Sequence, residues 1–373
     1  MYRAMIAGHI CVDLVPTLDG PVPGPGALAQ AGPIELRLGG CVANTGLALS
    51  ALGAPVELVA LLGEDLLGDA VAAMLEAVPL HRLRVQRISG PATSYSIVLQ
   101  PPATDRTFLH HVGTNAAFDG TDVRDDDTDL LHVGYPQLLP RLLDDTGAGL
   151  DALLARARRA GVTTSVDFAT VDRARALDHP WPTLMSRWAP LIDVLTPSLD
   201  DLWPAFPTLA VECGTAGQDT VVGAATRMAD ELVRGGVAVA LVTAGRAGMC
   251  LRTGGPDRFG AGGRLLAALP QDWFNRQLWA PSSASEPVRT TGAGDTATAG
   301  FLFGILAGLP ADESLALAAA AASLHVTGVA PLPEWQTDRS AYDRIAFPSM
   351  DIQGWTRTSH GLLQGPADRK GIR

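Results

Sequence analysis

Short apolar runs of strand type alternate with segments of helical period along most of the chain. YRAMIAGHICVDL (2–14) reads as a first strand and VELVALLG (56–63) as another. Between them, ANTGLALSALG (43–53) sets Leu47, Ala48, Ala51 and Leu52 on one helical face and stops at Gly53, a natural helix-ending glycine. DAVAAMLEAV (69–78) repeats the pattern with Val71, Met74, Leu75 and Val78. LLHVGY (130–135), TTSVDFA (163–169), DVLTPS (193–198) and VAVALVTAG (237–245) follow as short buried strands. Helical segments near 149–160 and 221–234 separate several of them and run into Gly161 and Gly235. This alternation predicts an α/β protein with a mainly parallel sheet covered on both faces.

Two stretches break the rhythm. Residues 15–38 are rich in Pro and Gly, and ISGPATSYSIVLQPPATDRTFLHHV (88–112) has the layout of a hairpin with a PPATD turn. Together, the segments 15–38 and 88–115 predict a small β-structured flap beside the main sheet. No linker divides the chain and no internal repeat occurs, so residues 1–340 read as one domain. The polar, turn-rich 341–373 forms a C-terminal extension, either an ordered wrap or a loose tail. TATAGFLFGILAG (296–308) and SLALAAAAASLHVTGVA (314–330) fall short of the roughly 20 residues a membrane span needs. Pro310, Asp312 and Glu313 part them, so two buried core helices are expected.

Composition narrows the function. The hydrophobic fraction of 47% and charged fraction of 18% fit a packed globular chain. A formal net charge of −11 argues against nucleic acid and anionic membranes as partners, since both need a basic surface. The only lysine is Lys370 and no G-x-x-x-x-G-K-[ST] occurs, which excludes a P-loop NTPase. Cys11, Cys41, Cys213 and Cys250 form no C-x-x-C pair, so reduced thiols are expected. MYRAMIAGHICVDLVP lacks the charged-then-apolar layout of a signal and carries Asp13 inside its apolar stretch, which points to the cytoplasm.

Two constellations carry chemistry. In TTGAGDTATAGF (290–301) a Gly-Ala-Gly turn before a helix aims backbone N–H groups at one spot, where the helix dipole favours an anion. Asp295 at the helix start serves equally as a plain N-cap. That reading leaves Gly292 and Gly294 around Ala293, and the apolar helix behind the acid, without a reason. A general base beside a phosphate-cradling turn accounts for all three. In LGGCVANTGLALSALG, Gly39 and Gly40 permit close backbone approach and Asn44 sits where a helix begins. On its own this is a glycine turn with an Asn cap, and it is no dinucleotide fingerprint, because G-x-G-x-x-G is absent there. Asp13 at the end of the first strand lies where open α/β sheets bind ligands, and with Asn44 it offers partners suited to sugar hydroxyls.

These residues resemble a known family. GGCVANTGLALSALGAPVELVALLGEDLLGD and VRTTGAGDTATAGFLFGIL are similar to the N- and C-terminal signatures of the ribokinase-like (PfkB-type) carbohydrate kinases, about 250 residues apart and in the right order. GHICVD, VLTPSLDD and LVTAGRAGMCL resemble the family's first-strand acid, its T-P-N-x-x-E segment and its T-x-G-x-x-G nucleotide turn, so the likeness covers roughly residues 3–330. It implies a three-layer α/β/α sandwich with a small β lid, and transfer from ATP with Mg2+ to a hydroxyl of a sugar or polyol. Asp295 then matches the catalytic base and Gly292, Ala293 and Gly294 the anion hole. Asp13, Gly39, Gly40 and Asn44 match substrate contacts, with Arg106 and Asn115 added from the lid and its border. Ser198, Thr243, Gly245 and Gly248 match nucleotide contacts, and Asp201 a residue that positions the metal through water. A homodimer through the lid is also implied.

Other residues on the ligand edge read differently. His110 and His111 read as surface or packing residues, and Asp167 as a further carboxylate facing the same edge. Two departures from the family pattern stand out. Arg289 replaces the acid that commonly helps a monovalent-cation site, which removes the usual basis for cation activation. Ser198 and Asp201 replace Asn and Glu. Both departures would also suit a catalytically silent protein that binds a nucleotide or metabolite on the same fold.

Overall fold

The computed structural model describes all residues except 79, 103–105, 125–126, 145, 171–178, 212, 214–215, 284–289, 329–346, 359–360 and 369–373. Arg289 and Lys370 therefore lie outside the described residues. Fifteen strands are described: β1 Ala4–Gly8, β2 Cys11–Pro16, β3 Ile34–Gly39, β4 Val56–Gly63, β5 Arg82–Ile88, β6 Tyr95–Leu99, β7 Thr107–His111, β8 Leu130–Gly134, β9 Thr163–Asp167, β10 Val194–Leu195, β11 Val239–Thr243, β12 Met249–Thr253, β13 Gln277–Ala280, β14 Thr356–Arg357 and β15 Leu363–Gln364. Eleven of them form one sheet in the order β14-β15-β13-β12-β11-β10-β9-β8-β1-β4-β5. It is parallel from β5 to β11 and antiparallel from β11 to β14.

Strand alternation divides the core into two layers. In β4, Val56, Leu58, Ala60 and Leu62 enter one cluster, while Val59 and Leu61 enter the other. The first layer is capped by the helices Cys41–Ala51, Leu66–Glu76, Ala293–Leu306 and Ala311–Val326. The second is capped by Ala148–Arg159, Trp181–Trp188 and Gln218–Arg234. Strands buried on both faces need near-continuous apolar runs, which is why the pattern reads so clearly. The two Ala-rich runs are core helices packed on each other. A Cβ on Gly300 would lie 2.9 Å from the Leu317 carbonyl oxygen, and one on Gly304 2.4 Å from Ser314 Oγ, so small residues set their spacing. Among the described residues no helix is long and apolar enough to cross a membrane.

The first apolar run is not one strand. The chain leaves the main sheet at Gly8, whose φ of 119° and tight approach to the Gly134 carbonyl oxygen exclude a side chain. It then enters a second, four-stranded sheet in the order β3-β2-β6-β7. Asp13 consequently sits in the small sheet and not at the end of a central strand. This sheet is the expected flap. The β6–β7 pair is the hairpin read from residues 88–112, although most of its PPATD turn lies outside the described residues. Residues 17–33 join β2 to β3 without regular structure.

The described part of the C-terminal extension is an ordered wrap. β15 pairs with β13 and continues the main sheet. The fully buried side chain of Asp368 accepts hydrogen bonds from Arg276 Nε (3.0 Å), the Gln277 backbone N–H (3.1 Å) and Gln364 Nε2 (3.1 Å).

Candidate active site

The lid hangs over the C-terminal ends of the parallel strands, and a cavity of about 1120 Å3 lies between them. Its walls include Asp13, Gly40, Asn44, Arg106, Tyr135, Asp167, Ser198, Asp201, Thr243, Gly292, Gly294 and Asp295. Asp295, Gly292, Gly294 and the predicted contacts Asp13, Gly40, Asn44 and Arg106 thus border one space, while Gly39, Ala293 and Asn115 are not among its walls.

Asp295 is the third residue of the helix Ala293–Leu306 and does not cap it. Its side chain leaves the helix and accepts from Asn44 Nδ2 (3.0 Å) on one oxygen and Thr45 Oγ1 (3.0 Å) on the other. The Tyr135 hydroxyl donates to both oxygens, at 2.7 and 2.8 Å. At 4% exposure the carboxylate is almost dry. Burial raises its pKa, the three hydrogen-bond donors oppose that rise, and the Asp13 charge adds to it. The result is a carboxylate aimed by fixed donors and more basic than a free aspartate. Gly292 starts the helix in a left-handed conformation (φ 82°), and the space where a Gly294 side chain would sit is open cavity. That is the arrangement an anion at a helix N-terminus requires. His325 holds the turn from behind, with Nε2 2.6 Å from the Thr291 carbonyl oxygen.

The glycines of the second constellation are sterically required. A Cβ on Gly39 would lie 2.6 Å from Asp13 Oδ1, and one on Gly40 (φ 82°) 2.5 Å from His9 Nδ1. Asn44 lies one turn inside the helix Cys41–Ala51, its backbone N–H bonded to the Gly40 carbonyl. Arg106 crosses from the lid, stacks over the Phe108 ring at 5.6 Å and bonds the Thr290 hydroxyl.

Some candidates take other places. Asn115 is fully buried and clamps the β1–β2 link, accepting from the Ile10 N–H (3.2 Å) and donating to its carbonyl (2.8 Å). It is not among the residues that line the cavity. Gly245 and Gly248 shape the turn after β11, where a Gly248 Cβ would fall 2.1 Å from the Ala280 carbonyl oxygen. His110, read as a surface or packing residue, lines the cavity, with Nδ1 3.1 Å from Ser96 Oγ and Nε2 3.3 Å from His9 Nε2. His111 instead packs on Tyr95, with ring centroids 5.2 Å apart.

On the opposite wall, Asp201 accepts from the Ser198 N–H (2.9 Å) and Thr170 Oγ1 (3.1 Å), and burial lifts its pKa to about 6. Asp167 is also buried, and burial together with the Asp295 and Asp201 charges pushes its pKa well up.

Sequence reasoning missed Tyr135 and Thr45. Thr45 adjoins Asn44 and needed only the helical turn to bring it to Asp295. Tyr135 follows β8 directly, at the ligand edge of the sheet, and precedes Pro136. Its backbone is left-handed (φ 60°, ψ 53°), uncommon for a bulky residue and costing about 1–3 kcal/mol. Such strain is tolerated where the surroundings fix a side chain in place.

The pfkB family carbohydrate kinase profile matches residues 1–334. The chain belongs to that family. A ribokinase of Arabidopsis thaliana is 26% identical over 314 residues, which cover 83% of this chain and 72% of the relative. Among solved structures, a ribokinase from Thermotoga maritima superposes with a TM-score of 0.66 at 18% identity, covering 92% of this chain and 99% of the other. The Arabidopsis thaliana ribokinase complexed with ribose and ATP does so with a TM-score of 0.63 at 20% identity, covering 92% and 99%. The fold of this family member is therefore the ribokinase sandwich, and its activity class is that of a kinase.

Proposed function

We propose that this pfkB-family kinase moves the γ-phosphoryl group of ATP to a hydroxyl of a sugar or sugar-like molecule, with Asp295 as general base. The observation that carries this is the buried Asp295 carboxylate, aimed into the cavity by Asn44 and Thr45 beside the open N-terminus of its own helix. The acceptor lies under the lid, where Asp13, Asn44 and Arg106 meet it. Asp295 takes the hydroxyl proton as the oxygen attacks, and the Gly292–Gly294 turn steadies the phosphoryl oxygens. The acidic walls leave Arg106 as a cation beside the turn, suited to screen charge there. Thr243, Ser198 and the glycine turn after β11 form the nucleotide side.

Mg2+ would neutralise the phosphates when bound. Among the described residues no three acidic, His or Cys side chains converge into a metal cage. Asp167 and Asp201 nonetheless fit a hydrated ion, because both are buried carboxyls on the cavity wall whose raised pKa values a facing cation would bring back down. The lid also supports a homodimer. Strand pairing sets Cys11, Asp13, Ser96 and His110 toward the cavity and Leu14, Ile97 and Leu109 on the opposite face, where Leu109, Ile34 and Leu36 are exposed.

The test is ATP consumption over a panel of pentoses, hexoses, sugar acids, cyclitols and nucleosides, with wild type and Asp295→Asn. We expect turnover of at least one class by wild type and a loss of about a hundredfold or more in the variant, the scale of general-base catalysis. Near-wild-type transfer by folded D295N refutes the role. Ligand binding without turnover by wild type supports the silent binding protein, the second reading that the Ser198 and Asp201 departures favour.

A further inference from the structure

Resting on Asp295 as the base, the geometry around its carboxylate points to a second device at the same site. A carboxylate offers roughly four lone-pair positions. Asn44 and Thr45, both fixed on the helix Cys41–Ala51, take one position on each oxygen. The Tyr135 hydroxyl takes the rest, with one proton shared between the two oxygens. A hydroxyl that must give up its proton here meets the phenol, which stands within 2.8 Å of both oxygens. An acceptor therefore competes with the phenol proton for the positions that Asn44 and Thr45 leave.

Tyr135 is built for that place. Gly134 ahead of it is pressed against Cys41, where a Cβ would lie 1.9 Å from the sulfur. The left-handed turn at Tyr135 then swings the ring into the cavity, against His9 at a centroid distance of 5.6 Å. Its own N–H is anchored to the Asp167 carbonyl oxygen at 3.0 Å. Burial and the nearby Asp295 charge hold the phenol protonated, so it stays a donor to the carboxylate.

We propose that Tyr135 is a placeholder for the acceptor hydroxyl, occupying the lone pairs of Asp295 so that water cannot use the base while the acceptor site is empty. The reaction it suppresses is hydrolysis of bound ATP. In that reaction a water oxygen would bond to the γ-phosphorus while the bond to the β–γ bridging oxygen breaks. ADP would leave with the electron pair, and Asp295 would take the water proton, giving ADP and inorganic phosphate. An arriving sugar presents several hydroxyls and binding contacts from Asp13 and Asn44, so it displaces the phenol where a single water does not.

The experiment uses the full chain with MgATP and no acceptor. Tyr135→Phe removes the hydroxyl and keeps the ring. Tyr135→Asn also removes it, with a residue that accepts a left-handed backbone, so one variant stands if the other fails to fold. Both should release phosphate faster than wild type by about tenfold or more, a fraction of what a base can supply. The gain should vanish in Y135F/D295N. Unchanged or slower release in the folded variants overturns the proposal, and so does a gain that survives the loss of Asp295. Sugar phosphorylation by D295N alone separates the two ideas. If D295N is silent and Y135F gains nothing, only the placeholder fails; if D295N phosphorylates normally, the base itself fails.

Discussion

Asp368 tests whether the C-terminal wrap belongs to the fold or merely rests on it. The carboxylate is fully buried and Arg276 is 2% exposed, so Asp368→Ala leaves a guanidinium in a dry site. Breaking one partner of such a pair costs about 3–5 kcal/mol. The Asp272 carbonyl still accepts from Arg276 Nη1 at 2.8 Å, which places the expected loss near the lower bound, about 3 kcal/mol. The site should not feel it. Arg276 precedes β13 at the sheet edge remote from the cavity, while Ala280 at the other end of β13 pairs with Met249 beside the glycine turn. Four residues of strand separate them by about 14 Å. Urea unfolding of D368A should therefore show a large drop in stability with the KM for ATP unchanged. Arg276→Met with Asp368→Leu should recover much of the loss, because no charge is then stranded. A D368A protein within about 1 kcal/mol of wild type would refute the argument, since that is the size of an exposed pair.

Two further predictions concern acid and assembly. Burial depresses His132 to a pKa of about 3, so between pH 6.5 and 3 the unfolded chain binds a proton that the native chain does not, and stability falls as the pH falls. From pH 7 to 5 this histidine alone costs about 2 kcal/mol, and His132→Gln should flatten the slope in urea titrations at the two pH values; equal slopes contradict it. If the apolar lid face is a dimer interface, wild type is dimeric by light scattering and Leu36→Glu with Leu109→Glu is monomeric. A monomeric wild type removes the proposal.

Much of this architecture was readable because strands buried on both faces leave a signal of composition. The runs at 56–63, 130–135 and 237–245 are apolar at nearly every position on both faces, so their reading survives an error of register. The run at 2–14 shows where that logic stops. It is equally apolar, yet its halves belong to different sheets, because the break depends on Gly8 meeting the Gly134 carbonyl, a contact more than a hundred residues away in sequence. The site divides along the same line. The glycines at 40 and 292 were legible because local turns demand them, and Asp295 and Asn44 because they stand beside those turns in segments with a family resemblance. Tyr135 and Asn115 were not, because what distinguishes them is the partner each one meets. A tyrosine at the end of a strand could point anywhere, and this one becomes meaningful only when β8 lies beside β1 and its hydroxyl reaches Asp295. The asparagine after Gly113 carried a motif-like signal and still turned to the backbone of Ile10, since a buried amide with both of its polar ends satisfied is stable without any ligand. Motif position therefore located the cavity, and hydrogen-bond partners decide which of its neighbours are free to do chemistry there.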